Sequence, residues 1–321
     1  MTRAGLAAVA IGASLAGACT ADVSAGRLER CLLGVVAQRA GGESHEEALA
    51  RHEATIGRPA DLVRSYAHLD EPVPRDFERA NAASGHQILV SVSAEVGPDR
   101  LPWARVADPD DAEADALVHT FVRGLAAYDA PILVIFHDEA QNDTAWGTAP
   151  EFIAAWRHVV DVARAEGATQ VQWVWSLSAA AYPTEAPAWY PGDDYVDWIG
   201  ASGFNWFTGD AVSPWRQFPA IFGPFHEWAA ARGKPLILVA VSTAEHLGVE
   251  PDSPRSKATW ITEAHGALEA WPEVQGFVWY DAPGPDEIRD WRVDSSPEAL
   301  VAYRTLASDA HFDVSGVRSD P

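Results

Sequence analysis

The strongest constraint on the fold is a regular alternation of short apolar runs with longer amphipathic stretches along most of the chain. Each run is nearly continuous in apolar character and rich in Val and Ile, which is typical of parallel strands buried on both faces. The runs are Leu32–Val36, Leu62–Tyr66, Gln87–Ser93, Ile132–Phe136, Val171–Trp175, Trp198–Gly203, Leu236–Val241 and Gly276–Trp279.

The stretches between the runs have the apolar spacing of amphipathic helices, and several begin at a Pro, Ser or Asp start signal. Gly167 and Gly233 follow two of these stretches, where a left-handed cap favours glycine. The predicted helices are Ser44–Ile56, Arg75–Ser84, Asp110–Tyr128, Pro150–Glu166, Trp215–Arg232, Pro254–Ala270 and Pro297–Ala307.

The repeat predicts an α/β fold, a (β/α)8 TIM barrel, formed as a single domain over residues 27–310. A doubly wound open sheet is the alternative. It is disfavoured because neither G-x-G-x-x-G nor G-x-x-x-x-G-K-[ST] follows the first run. The 321 residues suit one α/β barrel, and no linker divides them. Residues 311–321 are interpreted as a polar tail.

The first residues have the pattern of an export signal. Met1–Arg3 is basic, and Ala4–Ala18 is apolar but too short to span a bilayer. We expect residues 1–18 to be a signal peptide of an exported protein, extracellular or anchored at a bacterial cell surface. Cys19 then either carries a lipid anchor as the first mature residue or forms a disulfide with Cys31.

The excess of acidic over basic residues excludes some classes of binding partner. The chain has 23 Lys and Arg against 46 Asp and Glu, which gives a net charge of −23. Nucleic acids and anionic membrane surfaces require clustered basic charge, so neither is expected as a partner. The 14 Trp residues suit either a Trp-rich core or stacking on the flat faces of sugars. A monomer without a cofactor is expected.

Catalytic residues of TIM barrels lie at the carboxyl ends of the strands. The residues that follow the runs here are aromatic side chains around a few carboxylates and one histidine, a combination typical of carbohydrate sites. We expect Trp175, Trp206 and Trp279 to face the cleft. The other residues at the ends of the runs include Tyr66, Ser93, Glu95, His137, Asp138, Glu139, Phe204, Asn205 and Asp281.

From about Gly34 to Ala307 the sequence resembles glycoside hydrolase family 26, the β-mannanase and related retaining barrel enzymes. The stretch from Trp189 to Trp206, WYPGDDYVDWIGASGFNW, is the most specific match. The helix EFIAAWRHVVD at Glu151–Asp161 matches nearly letter for letter. The remaining matches are Phe136-His137, Trp146-Gly147, Trp173–Ser176, Lys234-Pro235, Glu245 and Asp290–Ser296.

The resemblance implies a neutral β-linked glycan of the mannan type as partner, whether polysaccharide or oligosaccharide. It also implies that His137 positions the substrate. Together with the residues at the strand ends, the candidate substrate-binding residues are His137, Trp146, Trp175, Phe204, Trp206, Trp279 and Tyr66.

The departures from the family pattern concern the catalytic groups. The acid/base Glu of the family corresponds to Asp138, although a shift of one residue would use Glu139 instead. Counting from Lys234-Pro235, the nucleophile position falls on Ala240, which cannot attack a sugar. The Tyr that commonly holds the nucleophile corresponds to Phe204. Asp143 and Thr144 replace the aromatic residue of the acid/base loop.

Three interpretations follow. The first is a glycan-binding relative that has lost the retaining mechanism, which requires two carboxyl groups about 5 Å apart. The second is a hydrolase with relocated carboxylates, for instance an inverting enzyme. The third is a structural or protein-binding barrel. The candidate carboxylates for the second interpretation are Glu95, Asp138, Glu139, Glu245 and Asp281.

No metal site is expected from the sequence. Cysteine and histidine residues do not stand at the spacing of a metal site. His137 and Asp138 are adjacent on a strand end, so their side chains should point in opposite directions.

Overall fold

The computed structural model describes residues 30–207, 213–284 and 289–312, and within these ranges eight parallel strands close into a barrel. The order around the barrel is β1-β10-β9-β8-β7-β6-β3-β2, so each strand pairs with its neighbours along the chain. A short antiparallel hairpin, β4–β5, follows β3. The strands are β1 (Leu32–Ala37), β2 (Leu62–His68), β3 (Gln87–Ser93), β4 (Glu95–Val96), β5 (Asp99–Arg100), β6 (Ile132–Phe136), β7 (Val171–Ser178), β8 (Trp198–Asn205), β9 (Leu236–Thr243) and β10 (Val274–Asp281).

The TIM-barrel prediction is confirmed, and each of the eight apolar runs lies within a barrel strand. Six of the strands continue beyond the carboxyl end of their run, and β7 reaches Ser178 rather than Trp175. The additional residues are mostly polar. A rule that ends a strand where apolar character ends therefore places the strand ends too early.

Helices surround the barrel, and their first turns follow from local capping. The side chain of Ser44 accepts a hydrogen bond from the backbone N–H of Glu47, and the carboxylate of Glu47 accepts one from the backbone N–H of Ser44. Gly167 and Gly233 have positive φ, as predicted for residues that end helices. The helices are α1 (His45–Ile56), α2 (Asp76–Ala83), α3 (Trp103–Val106), α4 (Ala112–Ala126), α5 (Ala149–Ala165), α6 (Ala186–Trp189), α7 (Phe218–Ala230), α8 (Lys257–Ala270) and α9 (Pro297–Ala307).

The hydrophobic core has two layers. The barrel interior is filled by inward-facing aliphatic side chains such as Leu62, Leu133 and Val239, together with Trp198. A larger layer lies between the strands and the helices and contains most of the fully buried aromatic side chains. Because the interior is filled, a ligand can reach the barrel only at its ends.

The limits of the chain are described only in part. The predicted signal peptide, Cys19 and residues 313–321 lie outside the described residues. Cys31 is buried and forms no disulfide with any other described residue, so the two alternatives for Cys19 stay predictions. Phe312 is buried against the core, so the packed part of the chain extends past the predicted limit at residue 310. None of the described helices has the length and apolar character needed to cross a bilayer.

The contact between β8 and α7 tests this packing. A Cβ atom on Gly203 would lie 2.7 Å from Cζ of Phe222 and 3.0 Å from Cγ2 of Ile221. Both neighbours are held in the core, so we expect Gly203→Ala to lower the free energy of unfolding by about 1–3 kcal/mol.

Gly266→Ala is the matched control for this prediction, because nothing lies within 4 Å of a Cβ at this position on α8. It should raise stability by about 0.5–1 kcal/mol through helix propensity. Urea denaturation of both variants measures the two effects, and equal stabilities would contradict the tight contact between β8 and α7.

Candidate active site

A cavity of about 480 Å³ opens at the carboxyl ends of β2, β3 and β6. Its lining combines carboxylates with polar and basic side chains. The cavity is lined by Tyr66, Ala67, His68, Glu71, Arg75, Ser91, Val92, Ser93, Glu95, His137, Asp138, Glu139, Asn142 and Asp143. The structure thus places His137, Asp138, Glu139 and Tyr66 together, as the sequence predicts. Tyr66 is 44% exposed.

Arg64 is the central cation of the site and was not identified from the sequence. It lies on β2 with its side chain fully buried, and it forms an ion pair with Asp138. Its guanidinium also donates to Oγ of Ser91 and, over 2.8 Å, to the backbone carbonyl of Val239. Asp138 is therefore held as a hydrogen-bond acceptor of a permanently charged guanidinium.

Glu139 lies in a different environment from Asp138. Its carboxylate accepts hydrogen bonds from the hydroxyl of Ser202 and, over 2.8 Å, from the side-chain amide of Asn142. Burial, followed by the charge of Asp138, raises the pKa of Glu139 above its ordinary value. Glu139 is thus suited to carry a proton.

His137 is held under the rim by aromatic side chains. Its Nδ1 accepts hydrogen bonds from the backbone N–H of Ala94 (3.2 Å) and the indole N–H of Trp103 (3.3 Å). The proton is therefore on Nε2, which lies 3.0 Å from Oδ2 of Asp143 and donates to it. Both His137 and Glu139 have positive φ, 55° and 53°, a strained conformation that often marks functional loops.

Trp146 supports this loop from behind. Its indole N–H donates to the carbonyl of Ala94 over 2.8 Å, and its ring meets the edge of His137. The guanidinium of Arg100, on the hairpin that the sequence did not predict, lies 4.7 Å from the ring centroid. Trp146 is not part of the cavity lining, so it positions His137 rather than presenting a free face there.

The predicted nucleophile position, Ala240, lies on β9. In the register between β8 and β9, Ala240 pairs with Ser202, whose hydroxyl binds Glu139. The preceding carbonyl, of Val239, accepts the hydrogen bond from Arg64. Ala240 therefore lies next to the groups that hold both carboxylates, and it offers only a methyl group.

The opposite side of the barrel mouth is aromatic. Trp206 is 53% exposed and packs against Phe204 and Trp291, with ring centroids 5.5 Å and 5.1 Å away. Tyr280 meets Phe204 edge-on at 5.5 Å. Trp206 is thus accessible at the mouth, as predicted, and Phe204 is in direct contact with it.

The prediction that Trp175 and Trp279 face the cleft is wrong, because both are fully buried in the layer between strands and helices. Side chains alternate along a strand, and on β7 the neighbour Val174 takes the inward direction. Trp175 instead packs against Tyr182, Tyr190 and Trp228 of the outer layer.

Trp279, on β10, is likewise buried between the strands and the helices. It meets Trp260 and Tyr303 in the outer layer, and its indole N–H donates to the carbonyl of Trp291 over 2.8 Å. Both tryptophans therefore belong to the core.

Two of the candidate carboxylates have partners elsewhere. Asp281 is buried and accepts hydrogen bonds from Nδ1 of His52 (2.8 Å) and the backbone N–H of Val293 (3.0 Å). Glu245 accepts a hydrogen bond from the hydroxyl of Ser295 over 2.6 Å. Glu95 does line the cavity, bound by the hydroxyl of Ser93. Of the five candidate carboxylates, Glu95, Asp138 and Glu139 therefore line the cavity.

A (β/α)8 barrel whose carboxylates, histidine and aromatic side chains meet at the carboxyl ends of its strands belongs to the structural class of the barrel glycosidases. The sequence profile of glycosyl hydrolase family 26 matches residues 119–240, which include the carboxylate loop and Ala240. The chain belongs to glycosyl hydrolase family 26.

The curated relatives are longer than this chain. Endoglucanase H of Acetivibrio thermocellus is 30% identical over an alignment of 278 positions, which covers 82% of this chain and 29% of that protein. Beta-1,3-xylanase TXYA of a Vibrio species is 28% identical over an alignment of 212 positions, which covers 57% of this chain and 43% of that protein. The chain thus spans less than half of either relative.

A solved modular endo-beta-1,4-mannanase from Cellulomonas fimi has the same fold. It superposes with a TM-score of 0.63 at 18% identity, covering 88% of this chain and 71% of that one.

Asp281 provides a test of the structural role assigned above. Burial raises its pKa, but the bonds from His52 and Val293 and the charge of Arg51 outweigh this and hold the pKa below the ordinary range. The resulting stabilisation is present above the unfolded carboxyl pKa of about 3.9 and is lost as the pH falls through the folded-state pKa. We expect Asp281→Asn to lower the free energy of unfolding at pH 7 by about 3 kcal/mol and to flatten its decline in acid.

Asp161→Asn is the control for Asp281→Asn, because its ion pair with Arg164 is exposed. That change should cost less than about 1 kcal/mol. Chemical denaturation of both variants from pH 3 to pH 7 gives the comparison. An unchanged acid dependence in Asp281→Asn would exclude the proposed role of this carboxylate.

Proposed function

We propose that the protein binds a neutral β-linked glycan across the barrel mouth and has lost the retaining two-carboxylate mechanism of its family. The observation that carries this proposal is Ala240. Strand β9, LILVAVST, contains no carboxylate at all, and its residue beside the Asp138–Glu139 loop is an alanine. Retaining hydrolysis requires a carboxylate nucleophile facing the acid/base group.

The pairing of Asp138 supports the same conclusion. A general acid donates its proton to the leaving group, whereas Oδ2 of Asp138 is engaged as the acceptor in an ion pair with the buried guanidinium of Arg64. Asp138 and Glu139 also come from one loop, whereas the retaining mechanism uses carboxyl groups on two sides of the sugar. The site therefore retains proton-carrying capacity at Glu139 without an opposing nucleophile.

The binding part of the proposal is supported by the lining of the mouth. Trp206 offers an exposed indole, and the opposite side offers carboxylates and hydroxyls that can accept and donate hydrogen bonds to sugar hydroxyl groups. The names of the relatives refer to glucan, β-1,3-xylan and β-1,4-mannan, which are neutral polymers. The protein has a net charge of −23, so it would repel an acidic polymer. The apolar start of the chain supports export toward such polymers.

A second candidate function is hydrolysis by relocated carboxylates. Glu95 and Glu139 line the same cavity, and the raised pKa of Glu139 suits a general acid. An inverting enzyme would use the second carboxylate to activate water rather than to attack the sugar. The anomeric configuration of the newly released sugar, measured by NMR, distinguishes this inverting candidate from a retaining enzyme.

The absence of a nucleophile predicts that no covalent glycosyl–enzyme intermediate forms. Incubation with activated 2-fluoro-glycosides of mannose, glucose and xylose, followed by intact-protein mass spectrometry, should leave the mass unchanged. An adduct mapped to any carboxylate would show that the nucleophile lies elsewhere.

Trp206 is predicted to stack on a sugar ring. Removing the indole by Trp206→Ala should weaken binding of neutral manno-, gluco- or xylo-oligosaccharides about tenfold, equivalent to about 1.4 kcal/mol. Calorimetric titration of the oligosaccharides measures this effect. Val301→Ala, an exposed apolar residue on α9, is the control and should bind as the parent does.

Two results would contradict this prediction. Equal affinities of the two variants would remove Trp206 from the binding surface. Tighter binding of acidic pectin fragments than of neutral sugars at low salt would refute the argument from charge.

A further inference from the structure

A cluster of one histidine and two carboxylates lies away from the barrel mouth, between α8 and the segment that follows α9. His265 and Glu269 are one turn apart on α8, so they project from the same face of the helix. Asp309 approaches from the segment after α9. One donor atom of each residue lies within 4.8 Å of the others, and Nε2 of His265 is 3.4 Å from Oδ2 of Asp309.

The imidazole of His265 and the carboxylate of Asp309 are in ion-pair contact, but no hydrogen bond joins them. Nε2 of His265 is buried and has no hydrogen-bond partner. Asp309 is fixed by its other oxygen, since Oδ1 accepts a hydrogen bond from the backbone N–H of His311 over 2.8 Å. Oδ2 therefore remains directed at His265. Glu269 is exposed, so its side chain is free to close on a bound ion.

A second cluster of the same residue types shows the contrast. His119 contacts Glu166 through Nδ1 (2.7 Å) and Asp115 through Nε2 (3.7 Å), so both ring nitrogens already face carboxylates. Arg123 also binds Glu166 over 3.1 Å and brings a positive charge into that cluster. The His119 cluster is thus a completed network, held by a hydrogen bond and by the guanidinium of Arg123, whereas Nε2 of His265 faces Asp309 at 3.4 Å without a hydrogen bond.

We propose that His265, Glu269 and Asp309 bind one divalent transition-metal ion of the Zn²⁺ class. An imidazole nitrogen with two carboxylate oxygens suits Zn²⁺, which binds them at about 2.0–2.2 Å, with water as a fourth ligand. Ca²⁺ requires six to eight oxygen ligands, and Mg²⁺ prefers oxygen in an octahedron, so both should bind weakly here.

The bound ion would connect the segment after α9 to helix α8 of the barrel. The carbonyl of His311 accepts a hydrogen bond from the backbone N–H of Cys31 over 3.0 Å, at the start of β1. The carbonyl of Phe312 accepts one from Arg58 over 3.0 Å. An ion that joins Asp309 to α8 would hold this segment in place and stabilise the folded protein, because metal binding and folding are coupled.

Calorimetric titration of the full chain with ZnCl2, after treatment with a chelator, tests the proposal. We expect one tight site per chain, a higher Tm with ZnCl2, and no comparable effect of CaCl2 or MgCl2. His265→Gln and Asp309→Asn should each weaken the tight site by about tenfold or more. The side-chain amide introduced by Asp309→Asn still has an oxygen that can accept the N–H of His311, so the fold of this segment is preserved in the second variant.

His119→Gln is the matched control, because it removes the histidine of the completed network and should leave Zn²⁺ affinity unchanged. Co²⁺ in place of Zn²⁺ should give visible absorption that disappears in His265→Gln. The proposal is overturned if the chain binds no Zn²⁺ tightly, or if His119→Gln weakens binding as much as His265→Gln does.

Discussion

The buried guanidinium of Arg64 is the interaction on which the arrangement of the mouth depends. A charge inside a filled barrel must be paired and hydrogen-bonded, because desolvation without compensation costs several kcal/mol. Arg64 meets this requirement with a carboxylate from the loop after β6, a hydroxyl from β3 and a carbonyl from β9. It therefore links three strands of the barrel at the level where the site begins.

This pairing gives Asp138 a structural role that does not depend on catalysis. Asp138 has a structural reason to remain an acid, since removing it would leave Arg64 buried and unpaired. Ala240 has no such role, and its small side chain is compatible with the close pairing of β8 and β9. Under the proposed function, the groups that support the mouth are retained, while the residue for covalent chemistry is replaced.

Much of the fold was predictable, because buried parallel strands are continuous apolar runs and the helices carry their own capping signals. The direction in which individual side chains point from the strands was not predictable. Trp175 and Trp279 appeared to end their strands because the apolar runs end there, but both strands continue, and alternation turns these two residues outward. The strands of the β4–β5 hairpin have two residues each, which is too short for an alternation of apolar and polar residues to predict them.

The site was predictable where its residues are adjacent in sequence, as at His137–Glu139. Arg64 was missed because a single cation inside an apolar strand gives no indication of its partners, which come from three other parts of the barrel. The same holds for Asp309 and His265, which only the packing of α8 against the end of the chain brings together.

The most direct test of the central claim is to restore the missing carboxylate. Release of reducing sugar from mannan, mixed-linkage glucan and β-1,3-xylan should be measured for the parent chain and for Ala240→Glu combined with Asp138→Glu and Phe204→Tyr. The account predicts no release by the parent and measurable release by the folded triple variant. Hydrolysis by the parent at a rate equal to or above that of the variant would contradict it.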